Sequence, residues 1–142
     1  MKKDSIFRVI DVNYNRSKEG LRVVEDILRF VIEDDYLRRK VRSIHHDLNK
    51  ALEGEFPGKL LGARDSVRDL GKDTDKLEMS RSNIAQLFYA NVQRSKESLR
   101  VLEEFFKIVN KEKVALLKKN RYQIYQLEKN AFKKWPALRN FR

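Results

Sequence analysis

Between Leu60 and Arg81 the aspartates Asp65, Asp69, Asp73 and Asp75 alternate with Arg64, Arg68, Lys72 and Arg81 around Gly62 and Gly71. Carboxylates at this density can hold a Mg²⁺ ion that shares its remaining coordination with phosphate oxygens, while guanidiniums take up the rest of the charge. The competing reading is a solvated loop with one helical turn, in which Asp65 and Asp69, four apart, share a face. A second polar constellation occurs twice. Asn13, Arg16, Ser17 and Gly20 have counterparts in Asn91, Arg94, Ser95 and Ser98, and at about 100° per residue both sets fall inside an apolar helical arc. An arginine on an inward face needs anions or acceptors, since desolvating an unpaired charge costs on the order of several kcal/mol. Either Arg16 and Arg94 pair with Glu97 and Glu19 across a pseudo-twofold axis, or the two patches face each other around a phosphate-bearing ligand.

The elements that carry these residues are themselves duplicated. Asn13 to Val31 and Asn91 to Val109 share ten of nineteen aligned residues, and the identities include the polar pairs Arg16/Arg94, Ser17/Ser95, Lys18/Lys96, Glu19/Glu97, Arg22/Arg100 and Glu25/Glu103. Leu21, Val23, Val24, Ile27, Leu28 and Val31 form a broad apolar face, so each copy reads as an amphipathic helix. The first helix is expected from Asp4 or Ser5 to about Ile32. A second, capped by Asp34, runs from about Tyr36 to Leu52 on the stripe Leu37, Val41, Ile44, Leu48 and Leu52. A long helix starts at Ser80 or Ser82 and ends near Val109. The last spans about Glu112 to Lys134 until Pro136 stops it, leaving a loosely held tail. Arg42–Leu52 aligns with Arg121–Ala131 after a one-residue slip, with Leu48/Leu127 and Lys50/Lys129 as visible matches. No strand-period segment or hairpin signal occurs. The expected architecture is one all-α domain over 1–142, a helical bundle of two αα units with pseudo-twofold symmetry. Repeat one covers about 5–53, an irregular connection about 54–80, and repeat two about 81–135.

Composition narrows the chemistry. Without cysteine there can be no disulfide, thiolate metal site or cysteine nucleophile, and a reducing cytoplasm is the expected location. No run of eighteen uncharged apolar residues exists, so no membrane span is expected. The net charge of +11 is concentrated at the end: residues 111–142 hold ten Lys/Arg against Glu112 and Glu128, a balance of +8. Such a segment suits nucleic acid, acidic surfaces or phosphorylated small molecules. The stretch Gly54 to Leu60 is no P-loop, because it is one residue short, lacks the hydroxyl after the lysine and follows a helix. His45, at the edge of an apolar stripe, reads as a packed residue more readily than as a catalytic one.

Several ordered motifs together carry a resemblance. They are R-V-I-D-V-N-x-N-R-x-x-E-G-L-R-V-x-E-D-x-x-R-F from Arg8 to Phe30, R-x-x-H from Arg42, A-R-D-x-x-x-D-x-G from Ala63 to Gly71, E-x-x-R from Glu78, A-N-x-x-R-x-x-E-S-L-R-V-L-E-E from Ala90, and R-Y-x-x-Y-x-L-E from Arg121. Nearly the whole chain resembles the compact hydroxymethylpyrimidine phosphate kinase family of thiamine biosynthesis, a module often fused to thiamine-phosphate synthase. Val12 and Leu70 are mild apolar departures from its pattern. The resemblance implies ATP-dependent phosphoryl transfer to 4-amino-5-hydroxymethyl-2-methylpyrimidine phosphate by a free-standing module, with ATP and Mg²⁺ as cofactors. Under it, Arg16, Arg64 and Arg94 would bind phosphate oxygens, and Asn13 and Asn91 would orient substrate. Asp65 and Asp69, with Glu19 as a further ligand, would hold the metal, and Gly71 would allow close backbone approach. Arg81 and Glu97 complete the expected substrate- and phosphate-binding set, with Asp65, Asp69 and Arg94 as the catalytic members. The implied partners are the phosphorylated pyrimidine, a nucleotide, thiamine-phosphate synthase, and a second copy of the chain if the polar patches meet across a homodimer. Two other readings stand beside it: a basic nucleic-acid-binding module using Tyr122, Tyr125 and Trp135, and a non-catalytic helical scaffold associated with thiamine-phosphate synthase.

Overall fold

The computed structural model describes residues 3–53, 57–72 and 81–140. Among them there are helices and turns and no strand: α1 (Lys3–Asp26), α2 (Asp35–Leu52), α3 (Pro57–Ala63), α4 (Ile84–Val109) and α5 (Val114–Lys134). Helices α1 and α4 pack most extensively, α5 lies against both α4 and α2, and α1 touches α2, which closes an all-α four-helix ring. The duplication extends into the core. Ile10/Phe88, Leu21/Leu99, Val24/Leu102 and Leu28/Phe106 stand 78 residues apart, and every member is essentially inaccessible to solvent. Each such burial contributes on the order of 1.5–3 kcal/mol.

The two halves meet where their helices are narrowest. Ser17 and Ser98 share a hydroxyl–hydroxyl hydrogen bond of 2.6 Å, and the Ser95 hydroxyl donates to the Ser17 carbonyl at 3.0 Å. Since Ser17 is equivalent to Ser95 and Gly20 to Ser98, the contacts Ser17–Ser98 and Ser95–Gly20 are the same contact seen from either side of a pseudo-twofold axis. Only one side has room for a side chain. A Cβ at Gly20 would press on the Ser95 hydroxyl and come within 2.8 Å of the Asn91 carbonyl, so the backbones could not approach as closely.

A second repeated device joins the helices within each half. Glu103, buried on α4, takes Arg121 of α5 in a bidentate pair at 2.6 and 3.1 Å, and Arg121 also donates to the Tyr125 hydroxyl at 2.9 Å. Its counterpart is the looser pair of Glu25 and Arg42 at 3.9 Å. The carboxylate and the tyrosine hydroxyl hold Arg121 firmly in its charged form against the cost of burial. The identities Glu25/Glu103 are therefore helix-to-helix clamps.

The structure departs from the sequence expectation in four places. The first helix ends in a π-helical turn over Ile27–Val31, closed by Glu33 at φ 60° and by Asp34 N–H donating to the Leu28 carbonyl at 2.8 Å. A non-glycine residue in that left-handed conformation carries a modest strain. The connection expected to be irregular contains α3, because Pro57 can open a helix and Leu60 and Ala63 bury against α1. The long helix is capped by Asn83 rather than by a serine. The tail expected to be loose is packed through Arg139: Leu138 is fully buried, and Arg139 donates to the carbonyls of Phe132 and Lys133 at 2.9 and 2.7 Å. Residues 73–80, which include Asp73, Asp75 and Glu78, lie outside the described residues.

Asp34 ties one end of the bundle together. One oxygen accepts the Leu37 N–H at the start of α2, and the other takes Trp135 Nε1 and Lys134 Nζ, both at 2.7 Å, from the end of α5. Burial, the largest single influence, favours the protonated acid, but the hydrogen bonds from Leu37, Lys134 and Trp135 and the Lys134 charge together outweigh it and lower the pKa. A carboxylate whose folded pKa lies below its unfolded value contributes stability that is complete above the unfolded pKa, about 4, and is lost as the pH falls through the folded pKa.

Two outcomes are expected. Gly20→Ala should lower the unfolding free energy by about 1–3 kcal/mol, read from urea midpoints; an unchanged midpoint would show that α1 and α4 do not close at Gly20. The stability difference between the wild-type chain and Asp34→Asn should be constant above about pH 5 and shrink below about pH 4. A difference independent of pH from acid to neutral would contradict the assigned ionisation.

Candidate functional site

A cleft of about 850 Å³ runs along the outer face of α1, with the segment after α3 as one wall and Arg94 of α4 at one end. Ser5, Arg8, Val12, Asn15, Arg16 and Glu19 line it from α1 at helical spacing, and Arg64, Asp65, Ser66, Asp69 and Gly71 line it from the opposite wall. The wall is held by a residue that sequence reasoning left without a role. Asp11, buried on α1, accepts Arg64 Nε and Nη2 at 2.8 Å each, and Asn15 donates to the Asp11 carbonyl oxygen at 3.0 Å and to its carboxylate at 3.3 Å. Its sequence signal was a carboxylate set between two apolar residues of a buried stripe, where an ionised group requires a partner. The partner is 53 positions away, beyond any local pattern.

The expected site residues divide sharply. Arg16, Glu19, Arg64, Asp65, Asp69, Gly71 and Arg94 all line the cleft, whereas Asn13, Asn91, Glu97 and Arg81 do not. Asn13 is buried and donates its amide to the Val9 carbonyl at 2.9 Å, and Asn91 does the same to Leu87 at 2.8 Å, so both serve their own helices. Glu97 accepts from Gln93 at 3.0 Å on the outside of α4. Arg64 is committed to Asp11, which keeps it charged. Asp65 accepts the Arg68 N–H at 3.1 Å and Asp69 the Gly71 N–H at 2.9 Å, so these two carboxylates brace their own turns. Among the described residues no three His, Asp or Glu side chains converge as metal ligands would. Mg²⁺ is held by one or two protein carboxylates with water and phosphate oxygens completing its shell, and Asp65 and Asp69 both line the cleft. Gly71 has open space apart from an ordinary contact with Asp69, so no described neighbour requires its missing side chain.

The arginines expected on an inward face are exposed. The long guanidinium stem leaves the apolar arc at its edge, while Asn13, Ser17, Ser95 and Ser98 stay inside. The symmetric ion-pair reading holds in one half only: Arg94 reaches Glu19 at 3.3 Å, but Arg16 makes no hydrogen bond or ion pair with a described residue. Arg8 is in the same situation. Two guanidiniums without a partner among the described residues, two turns apart on α1, thus line a cleft whose other described charges are largely committed. That arrangement can take phosphate or carboxylate oxygens.

Outside the cleft, His45 sits in a packed chain in which the Tyr14 hydroxyl donates to Asn49 at 2.6 Å and the Asn49 amide lies 3.4 Å from His45 Nδ1. Burial, followed by the nearby charges of Lys18 and Arg22, lowers its pKa and keeps it neutral at pH 7. Trp135, expected as a stacking group under the nucleic-acid reading, is half-buried and bonded to Asp34. No described helix is long and apolar enough to cross a membrane.

A model of the ThiD2 family matches residues 8–130. The chain is 38% identical to the thiamine-phosphate synthase of Synechocystis over 87% of its own length and 35% of that protein's. It is 34% identical to that of Rhodopirellula baltica over 85% of its length and 32% of the relative's, and 35% identical to that of Nostoc punctiforme over 88% and 35%. The chain thus spans about a third of the length of the curated relatives it matches. No solved structure matches. These findings overturn the expectation of a pyrimidine phosphate kinase. The relatives that align with most of this chain are named as synthases, and the scaffold reading associated with that enzyme fits them better.

The geometry separates two variants. Asp11→Ala should destabilise the chain by about 1–3 kcal/mol and open the segment 64–72 to proteolysis, because Arg64 loses both acceptors. Arg16→Ala should leave stability within about 0.5 kcal/mol of the parent. Equal losses for both would show that Arg16 has a structural partner.

Proposed function

Because the chain belongs to the ThiD2 family of thiamine biosynthesis, we propose that it is a helical binding scaffold that works with thiamine-phosphate synthase and holds a phosphate-bearing thiamine precursor or product in the α1 cleft. The observation that carries this reading is the position of Arg16. Most of the other polar identities between the two repeats are engaged in holding the fold. Asn13 and Asn91 bond their own helices, Ser17 and Ser95 form the crossing, Glu25 and Glu103 clamp the hairpins, and Glu19 meets Arg94. Arg16 has no such engagement among the described residues, yet lines the α1 cleft together with Arg8. An exposed arginine held beside a second cation, with no carboxylate of its own among the described residues, favours an anion that comes from outside.

A charge-assisted hydrogen bond contributes about 1.5–3 kcal/mol. Titration of thiamine phosphate into the wild-type chain, followed by calorimetry, should show saturable binding that weakens at least tenfold in Arg16→Ala and further in the Arg8→Ala/Arg16→Ala pair. Unphosphorylated thiamine should bind much less tightly than thiamine phosphate. Equal affinity of the double variant, or of thiamine without its phosphate, would overturn the reading.

A further inference from the structure

The second half of the molecule carries the counterpart of the α1 cleft, and its residues have diverged. Tyr89 stands 78 positions after Asp11, and Gln93 the same distance after Asn15; both line a hollow of about 320 Å³ with Lys96, Glu128, Lys129 and Phe132. The hollow opens onto the outer face of α5. There Lys118, Tyr122, Tyr125, Lys129 and Phe132 form one stripe at spacings of three and four, and the three rings are 53, 38 and 43% exposed. No described element covers this stripe, and it lies in the segment with a charge balance of +8.

We propose that this face of α5 docks an acidic surface of thiamine-phosphate synthase, with the Tyr89–Phe132 hollow receiving an anchoring side chain. The proposal rests on the association with the synthase put forward above and names the surface that makes it. Charge complementarity decides among occupants. A second copy of the chain would bring two strongly basic segments together, which repels. A nucleic acid would use the tyrosines as stacking platforms, but Tyr122 and Tyr125 pack edge to face at 5.3 Å and 87°. Lys118 sits 5.8 Å from the Tyr122 centroid and Lys96 5.1 Å from that of Tyr125, while Arg121 lies within 5.6 Å of both. With the Tyr125 hydroxyl held by Arg121 and Lys96 paired with Glu128, the ring edges, the Tyr122 hydroxyl and the Lys118 and Lys129 ammonium groups are left for the partner, a set that matches carboxylates beside an apolar anchor. The relatives devote about two thirds of their length to a portion that this chain does not align with, and they are named as synthases. Those names and that unmatched length support a synthase surface as the occupant.

The test is binding of the full chain to purified thiamine-phosphate synthase by biolayer interferometry, at low salt and at about half-molar salt. The parent chain should bind, and Lys118→Glu/Lys129→Glu should weaken binding at least tenfold at low salt. Phe132→Ala should also weaken it and leave the salt dependence unchanged. Circular dichroism checks that each variant is folded. Parent-like binding by the folded double reversal would overturn the α5 face and leave the association intact. No binding by the parent chain would overturn the association itself. Salt-dependent capture of single-stranded DNA through Lys118 and Lys129, without synthase binding, would replace both.

Discussion

The structure depends on how closely α1 and α4 approach at Ser17, Gly20, Ser95 and Ser98. Small residues there let two long helices cross with their backbones nearly in contact, and the hydroxyls satisfy one another and the backbone in a place water does not reach. Because the crossing lies on the pseudo-twofold axis, it fixes where each half stands relative to the other. The paired core residues, from Ile10/Phe88 to Leu28/Phe106, close around it on both sides. Glu103–Arg121 and Glu25–Arg42 then hold each half's outer helix to its inner one. The outer face of α1 is left in the position that Asp11 and Arg64 build into a cleft.

Symmetry in the scaffold has been kept and symmetry in the surfaces has been lost. On α1 the stretch from Arg8 to Arg16 carries a carboxylate, an amide and two guanidiniums without a partner among the described residues, facing the segment after α3. On α4 the equivalent stretch carries Tyr89 and Gln93 beneath the buried turn at Leu138. One duplicated helix pair therefore offers two faces of different chemistry, the first suited to an anion and the second to a protein partner.

Much of the fold was legible in the sequence, and the reason is periodicity. Apolar residues at helical spacing marked α1, α2, α4 and α5, and Asp34 announced the start of α2 because an N-cap acts within three residues of itself. The short helix α3 was hidden because Pro57 and Gly58 read as breakers, while its helicity comes from packing Leu60 and Ala63 on a distant helix. The cleft was half legible. Arg16, Arg64, Asp65, Asp69 and Arg94 could be named from type and repetition, but a helical wheel assigns a direction to a Cβ and not to the end of a long flexible side chain. It accordingly turned the arginines inward, although the members of that set that are buried are Asn13 and the serines. Asn13 and Asn91 were misread for a related reason: a repeated polar residue on a buried face can be satisfied by its own helix, and repetition alone does not reveal that. Asp11 was missed because its meaning lies in a residue far along the chain.

Hydrogen–deuterium exchange of the chain with and without saturating thiamine phosphate tests most directly whether the α1 cleft is the ligand site. Protection confined to residues 5–19 and 64–72, with α5 unaffected, is the expected result. Protection located elsewhere, or none at a concentration that saturates binding, would contradict the assignment of the cleft.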